Sequence, residues 1–214
     1  MEKPPHTMSF FGCLVGLVAT SSRAAAAGRR SDLQTLVMSG PYVGNNGGAL
    51  PDAPSPATVD VVLNPILYAP ESTGRVEVLG ADPAVRPRIH YGYLASAGDR
   101  ERLREAVRLT ADVLAAPEFR DLIADDAGAP GEATRADDDA LDAWLRANLQ
   151  STLHGCGTCR MGSDDDSGAV VDEHCRVRGV EGLRIADLSV VPRVPSAPTN
   201  ATATVVGKRV AGWM

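Results

Sequence analysis

"STLHGCGTCRMG" occupies residues 151–162, and several chemistries compete for it. Cys156 and Cys159 form a C-x-x-C, with His154 beside them and His174 and Cys175 downstream. A structural zinc site takes four Cys/His ligands, commonly as two close pairs. The second pair here would be His174/Cys175, adjacent residues whose side chains point to opposite faces of an extended segment. A thioredoxin-like redox pair wants a helix opening after its first cysteine and a βαβ context. Here Gly157 and Thr158 separate the two, so a pair of small buried thiols is the plainer reading. Gly155-x-Gly157-x-x-Arg160 falls one residue short of a dinucleotide fingerprint and follows a helical pattern instead of a strand. The remaining reading makes His154 the chemical residue. A neutral imidazole titrates near physiological pH and can take the proton of an alcohol, while glycines beside it let the backbone lie against a flat cofactor. Taken alone, a histidine in a Gly-rich loop is more often structural.

Upstream of this stretch the pattern is helical. Leu141, Trp144, Leu145 and Leu149 line one face, and Thr134 to Asp137 fits a capping box at its start. Trp144 reads as core. An earlier helix is predicted from Asp99, as its cap, to Ala116 before Pro117, on the spacing of Leu103, Val107, Thr110 and Leu114. Before it the period is that of strands. The strand candidates are 31–40, 59–68, 72–80, with Val76 and Val78 on one half-buried face, and 86–94. Residues 42–58 and 125–133 are loops by composition. Downstream, 163–168 is a polar turn, 169–187 alternates short β-like runs with turns, and 200–213 is a helix with Asn200 at or beside its N-cap.

The 214 residues suffice for one or two domains with a sizeable core. A net charge of −6 argues against a nucleic-acid partner, and no apolar run is long enough to span a bilayer. Four cysteines are too few for a disulfide scaffold, which makes a reducing, cytoplasmic compartment the expectation. The N-terminal Lys3, "FFGCLVGLVAT" (10–20) and "SSRAAAA" imitate a signal peptide, so secretion is the alternative. The other reading of that stretch is a buried strand or helix followed by an Ala-rich turn.

Four blocks, in order, resemble the C-terminal half of the glucose–methanol–choline (GMC) flavin oxidoreductases. "SDLQ" (31–34) is similar to the family's "PDLQ" strand. "PESTGRVEVLGADPAVRPRIHYGYL" (70–94) is similar to its P-x-S-x-G-x-V…DP…P-x-I…YL block. "HGCGTCRMG" (154–162) matches its H-x-x-G-T-C-R-M-G loop. Residues 169–211 match its VVD…GLR…AD-x-S-x-x-P segment and terminal N-x-x-x-T helix.

The resemblance implies an α+β fold: a substrate-binding domain of mostly antiparallel sheet with flanking helices over residues 13–168, then the C-terminal segment of an FAD-binding domain over 169–214. Residues 1–12 would be foreign or disordered. The family's N-terminal strand–G-x-G-x-x-G–helix unit has no counterpart here, so the Rossmann-like part is expected to be missing. The implied activity is FAD-dependent oxidation of CH–OH donors. His154 would be the base and Asn200 the second catalytic residue, a neutral carboxamide facing the same oxygen; the hydride would pass to flavin N5. Ala186 and Asp187 would meet the ribityl–pyrophosphate region. Asn200, Ala201 and Thr202 would open a helix toward the pyrimidine edge, where a helix N-terminus suits negative charge. The implied partners are a small alcohol and a separate N-terminal FAD-binding half, with no metal. The competing expectations are a non-catalytic remnant or binding module of the same fold, and a small secreted metal or redox protein built on the cysteines.

Overall fold

A computed structural model describes residues 12–39, 61–119 and 129–214. The expectation of a foreign N-terminus falls almost wholly on residues outside these, and the 42–58 loop does so entirely. The chain divides into two compact units. One runs up to Leu67 and adds Glu101–Gln150; the other joins Tyr68–Arg100 to Ser151–Met214. These units follow packing, whereas the domain limits above follow family resemblance.

In the first unit β1 (Gly12–Ala19), β2 (Leu33–Ser39) and β3 (Val61–Leu67) form an antiparallel sheet in that order. Leu33 pairs with Ala19 on one side and Leu67 on the other, which fixes the register. Pro65 is tolerated because β3 is an edge strand. Residues Leu33 and Thr35 are buried on one face, the period-two pattern of a sheet covered on one side. Helix α2 (Ala97–Leu114) supplies that cover. Its Leu103, Ala106, Val107 and Thr110 are buried at helical spacing, and Thr110 Oγ1 meets Thr35 Oγ1 at 2.8 Å. From Gly12 to Ala19 the N-terminal apolar stretch is a strand, the other edge of the sheet, and its Leu17 and Val18 are exposed.

A short helix α1 (Ser22–Ala26) links β1 to β2, capped by the Ser21 hydroxyl, which accepts the Ala24 N–H at 3.1 Å. Ser21 in turn donates its N–H (2.8 Å) and hydroxyl (2.6 Å) to the Asp32 carboxylate, and Arg102 reaches the same carboxylate at 3.2 Å. Arg102 and Ser21 are wholly buried. Burial alone would raise the Asp32 carboxyl; the Ser21 donors and Arg102 outweigh it and hold it below the usual range.

Two helix starts differ from expectation. Asp99 does not cap α2. Ser96 does, its hydroxyl accepting the Gly98 N–H at 3.1 Å. The buried Asp99 carboxylate instead accepts the N–H groups of Glu71 (2.9 Å) and Ser72 (2.7 Å), which a buried carboxylate needs as donors. Thr134 lies inside α3 (Glu132–Ala136) and caps nothing. The chain turns extended at Asp137, whose carboxylate accepts the Ala140 N–H at 2.8 Å and opens α4 (Asp138–Asn148). Leu141 and Leu145 are buried and Trp144 half-buried, while Arg104 and Arg108 of α2 grip Asp142 (2.8 Å) and Asp138 (2.6 Å).

In the second unit β4 (Arg75–Glu77) and β5 (Arg88–His90) form a hairpin with Val76 opposite Ile89. Gly74 is required there: a Cβ would lie 1.9 Å from the His90 carbonyl oxygen. The half-buried face expected for Val76 and Val78 is absent. They are 46% and 78% exposed, because nothing in the unit covers so short a ribbon. The rest is irregular and held by a small core. Val171, Cys175, Val190 and Val210 are buried, with Met161, Val177, Ile185 and Val206 packed against them. Residues 169–187 make isolated bridges in place of strands, Val171 to Val177 and Arg176 to Arg184. Helix α5 (Asn200–Ala211) closes the unit through Val206 and Val210. Among the described residues no helix is long and apolar enough to cross a membrane.

Candidate active site

The 154–162 loop is fixed from beneath. N–H groups of Gly157, Cys159 and Met161 donate to the carbonyls of Leu188 (3.4 Å), Ser189 (3.0 Å) and Val190 (2.8 Å). Alternate residues of the loop thus meet consecutive residues of a 3₁₀ turn, Leu188–Val190. Gly157 makes this approach possible with φ +87°, a conformation other residues rarely adopt. On the other side Arg160 grips Asp166 as a fork; its Nη1 meets one carboxylate oxygen closely and its Nη2 the other at 2.8 Å. Arg160 first, with the Gly168 N–H, draws the Asp166 carboxyl down to about 2. The loop therefore has little freedom from Gly157 onward.

His154 lies just before this clamped stretch. Its ring is half-buried and makes no hydrogen bond among the described residues. Leu153, immediately before it, is 87% exposed and has φ +61°.

Asp187 caps the 3₁₀ turn, its carboxylate accepting the Ser189 N–H at 2.8 Å, which holds the carboxyl below its ordinary range. It is exposed, as is Ala186. The same segment touches α5: a Cβ on Gly207 would lie 3.9 Å from the Ala186 carbonyl oxygen. The structure thus stacks the motif loop, the 187–190 turn and α5 in sequence.

Asn200 is the first residue of α5, beside the N-cap as expected; Thr199 is the cap. Thr199 is buried, in helical conformation, and its side chain makes no capping bond. Ala203 N–H already bonds the Thr199 carbonyl at 2.9 Å. The N–H groups of Asn200, Ala201 and Thr202 thus open the helix with no side chain of the cap upon them, a donor set suited to an electron-rich acceptor. The Asn200 carboxamide is exposed and makes no hydrogen bond among the described residues. A groove of about 420 Å³ lined by Val205, Lys208, Arg209, Gly212 and Trp213 includes none of these site residues.

Among the described residues no three His, Cys, Asp or Glu side chains stand together as a ligand set. Cys156, Cys159 and Cys175 are free thiols. Burial pushes the Cys156 and Cys175 thiols up, away from thiolate reactivity. Cys175 is core, while Cys156 and Cys159 are half-buried. Sequence reading missed the Arg160–Asp166 fork and the backbone of Leu153. Neither leaves a signal in sequence beyond an arginine six positions before one of three aspartates.

With this geometry in place, comparison with known proteins gives a consistent answer. The C-terminal family model described as GMC oxidoreductase matches residues 70–207. The oxygen-dependent choline dehydrogenase of Vibrio vulnificus is 41% identical over 142 residues, covering 66% of this chain and 25% of that protein. A formate oxidase structure from Aspergillus oryzae RIB40 superposes with TM-score 0.70 and 27% identity, covering 89% of this chain and 34% of that one. The pyridoxine 4-oxidase structure from Mesorbium loti, at 23% identity and TM-score 0.70 over 86% of this chain and 34% of that one, shares the fold. The chain belongs to the GMC oxidoreductase family, a class of FAD-dependent flavoproteins. It spans about a quarter to a third of the length of the relatives it matches. The mixed helical and antiparallel fold expected of the family's C-terminal part is the fold observed.

Proposed function

We propose that this chain supplies the substrate-side residues of an FAD-dependent oxidation of CH–OH donors. The observation that carries the reading is the pairing of rigidity and freedom. His154 directly precedes the stretch clamped from Gly157 onward and Asn200 opens a helix packed into the core, yet both side chains lack hydrogen-bond partners among the described residues. His154 takes the hydroxyl proton as general base. The Asn200 carboxamide donates to the same oxygen as negative charge gathers there, without competing for the proton. When bound, FAD supplies the acceptor for the hydride that leaves the carbinol carbon, and the alcohol becomes a carbonyl. The start of α5, with no side-chain cap bond, fits such a group: the N–H groups of Asn200, Ala201 and Thr202 would hold its electron-rich pyrimidine edge, and Ala186 and Asp187 would hold its ribityl–pyrophosphate side.

In this reading residues 13–168 belong to the substrate-binding domain and 169–214 to the FAD-binding domain. The partner is a polypeptide carrying the family's N-terminal FAD-binding half.

The test is co-expression with the N-terminal part of the Vibrio choline dehydrogenase relative. A yellow complex whose flavin absorbance bleaches anaerobically on adding alcohol is the expected result. His154→Ala should keep the flavin and slow bleaching by about 10²–10⁴-fold. A colourless preparation sinks the proposal and leaves a non-catalytic binding module of the same fold.

A further inference from the structure

The two faces of the β4–β5 ribbon are treated differently. Arg75 pairs with His90 and Glu77 with Arg88, so alternation sets these four on one face and Val76 and Ile89 on the other. The polar face closes on itself: the Glu77 carboxylate lies 3.2 Å from His90 Nε2 and 3.5 Å from the Arg88 guanidinium. On the apolar face Val76 and Ile89 are exposed, and beyond β5 the stacked rings of Tyr91 and Tyr93, centroids 4.9 Å apart, extend that surface, also exposed. Seven of the fourteen large apolar side chains exposed among the described residues fall between Val76 and Tyr93, which makes this a patch and not scatter.

The ribbon is nonetheless firmly built. A Cβ on Gly92 would lie 2.2 Å from the Thr73 carbonyl oxygen, so the two strands meet as closely as glycine allows. Its base is tied to the start of α2. The Ser96 N–H donates to the Ser72 hydroxyl at 3.0 Å, and the Asp99 carboxylate holds the Glu71 and Ser72 N–H groups. A surface fixed before binding loses little freedom on docking.

Packing joins residues 68–100 to 151–214, the unit of the motif loop, the Asp187 turn and the start of α5, although family resemblance counts them with the substrate-binding stretch. A polypeptide that completes a flavin site on those elements meets this unit, and the ribbon carries most of the unit's exposed large apolar side chains. The chain spans 25% of the choline dehydrogenase relative, so most of the family's length lies in the part such a polypeptide would carry. Charge disfavours a lipid surface: Asp82 is exposed between the two strands, its carboxylate accepting the Ala84 N–H at 2.9 Å, where an anionic membrane would repel it. A protein surface laid on the apolar face leaves the Glu77 pairs of the other face intact and strips no charge of its partner.

We infer that the apolar face of the β4–β5 ribbon, Val76 and Ile89 with Tyr91 and Tyr93, is the surface on which the N-terminal FAD-binding half docks. The inference rests on the reading of that half as the partner.

The experiment uses the full chain, alone and co-expressed with the N-terminal part of the Vibrio relative. Hydroxyl-radical labelling of Tyr91 and Tyr93 is read by mass spectrometry, and flavin content separately by absorbance. Labelling of both tyrosines should fall severalfold in the complex. Ile89→Asp should leave the melting temperature of the chain nearly unchanged, since the side chain is exposed, and cut recovery of the complex by about tenfold or more. Arg75→Ala, on the opposite face, should leave recovery as it is. A complex whose tyrosines label as in the chain alone, or which Ile89→Asp forms as well as the parent, overturns the inference. So does protection of the tyrosines in a dimer of the chain alone, seen by sedimentation, or on vesicles of phosphatidylcholine and phosphatidylglycerol. Those results would assign the face to a second copy or to lipid. A colourless complex with protected tyrosines defeats the flavin reading alone; a yellow complex with exposed ones defeats this inference alone; no complex at all defeats both.

Discussion

Ser21, Asp32 and Arg102 in the first unit, and Leu153, His154 and Asn200 in the second, handle polar and apolar groups in opposite ways. The first set is buried, and each member is bonded to another of the set. The second set flanks or opens well-held backbone, and among the described residues its polar side chains make no hydrogen bond, while Leu153 is exposed. A buried charge that lost its partner would face a large desolvation cost, so the first set must be complete within the chain. The second set carries no such requirement, because water can satisfy an exposed carboxamide or a half-exposed imidazole. Saturation marks what holds the fold, and the polar side chains left unbonded among the described residues are those the proposed function uses.

The sharpest attempt to break this contrast is Arg102→Met. It leaves the Asp32 carboxylate buried without its cation and should cost about 3–5 kcal/mol of stability. A denaturant midpoint little changed from the parent would show that the buried set is not what holds β2 to α2. Asp187→Ala removes the cap of the turn beneath the motif loop and should cost about 1 kcal/mol. In the flavin-bearing complex it should also weaken flavin retention, read from the free-to-bound absorbance ratio. Loss of stability without loss of flavin would make Asp187 a structural cap only.

A pH experiment probes the clamp. The Asp166 carboxyl sits at about 2 in the fold, below its ordinary value of about 4. Its contribution is therefore complete above pH 4 and disappears as the pH falls toward 2. Asp166→Asn should flatten that part of the acid limb and leave the curve at neutral pH parallel to the parent. An unchanged acid limb would mean the fork contributes nothing to folding. The smallest effect is expected at Asn200. Asn200→Ala should change stability by less than about 0.5 kcal/mol, because its side chain bonds nothing among the described residues and Thr199 is the cap. A larger loss would place Asn200 with the structural residues and erase its difference from Asp32.

How much was legible beforehand varies by element. The β2 strand, α2, α4 and α5 follow from hydrophobic period, which depends only on neighbouring residues. Cap assignments failed at Asp99 and Thr134 because competing oxygens, Ser96 and Asp137, won the N–H groups. That contest depends on where the Glu71–Ser72 loop lands, which no local window contains. The hairpin was read as half-buried because alternation shows two faces without showing whether anything covers one.

The sequence by itself determined the family and the order of the elements, since four motif blocks and their periodicities are properties of the chain alone. It also singled out His154, Asn200 and Asp187 as the residues to examine. Only the tertiary structure decided which polar groups are consumed by the fold and which stay free. Hydrogen-bond satisfaction is a competition among groups far apart in sequence: Asp32 is settled by Arg102, seventy positions away. The left-handed turn at Leu153 is of the same kind, a backbone state that no leucine announces in its letter.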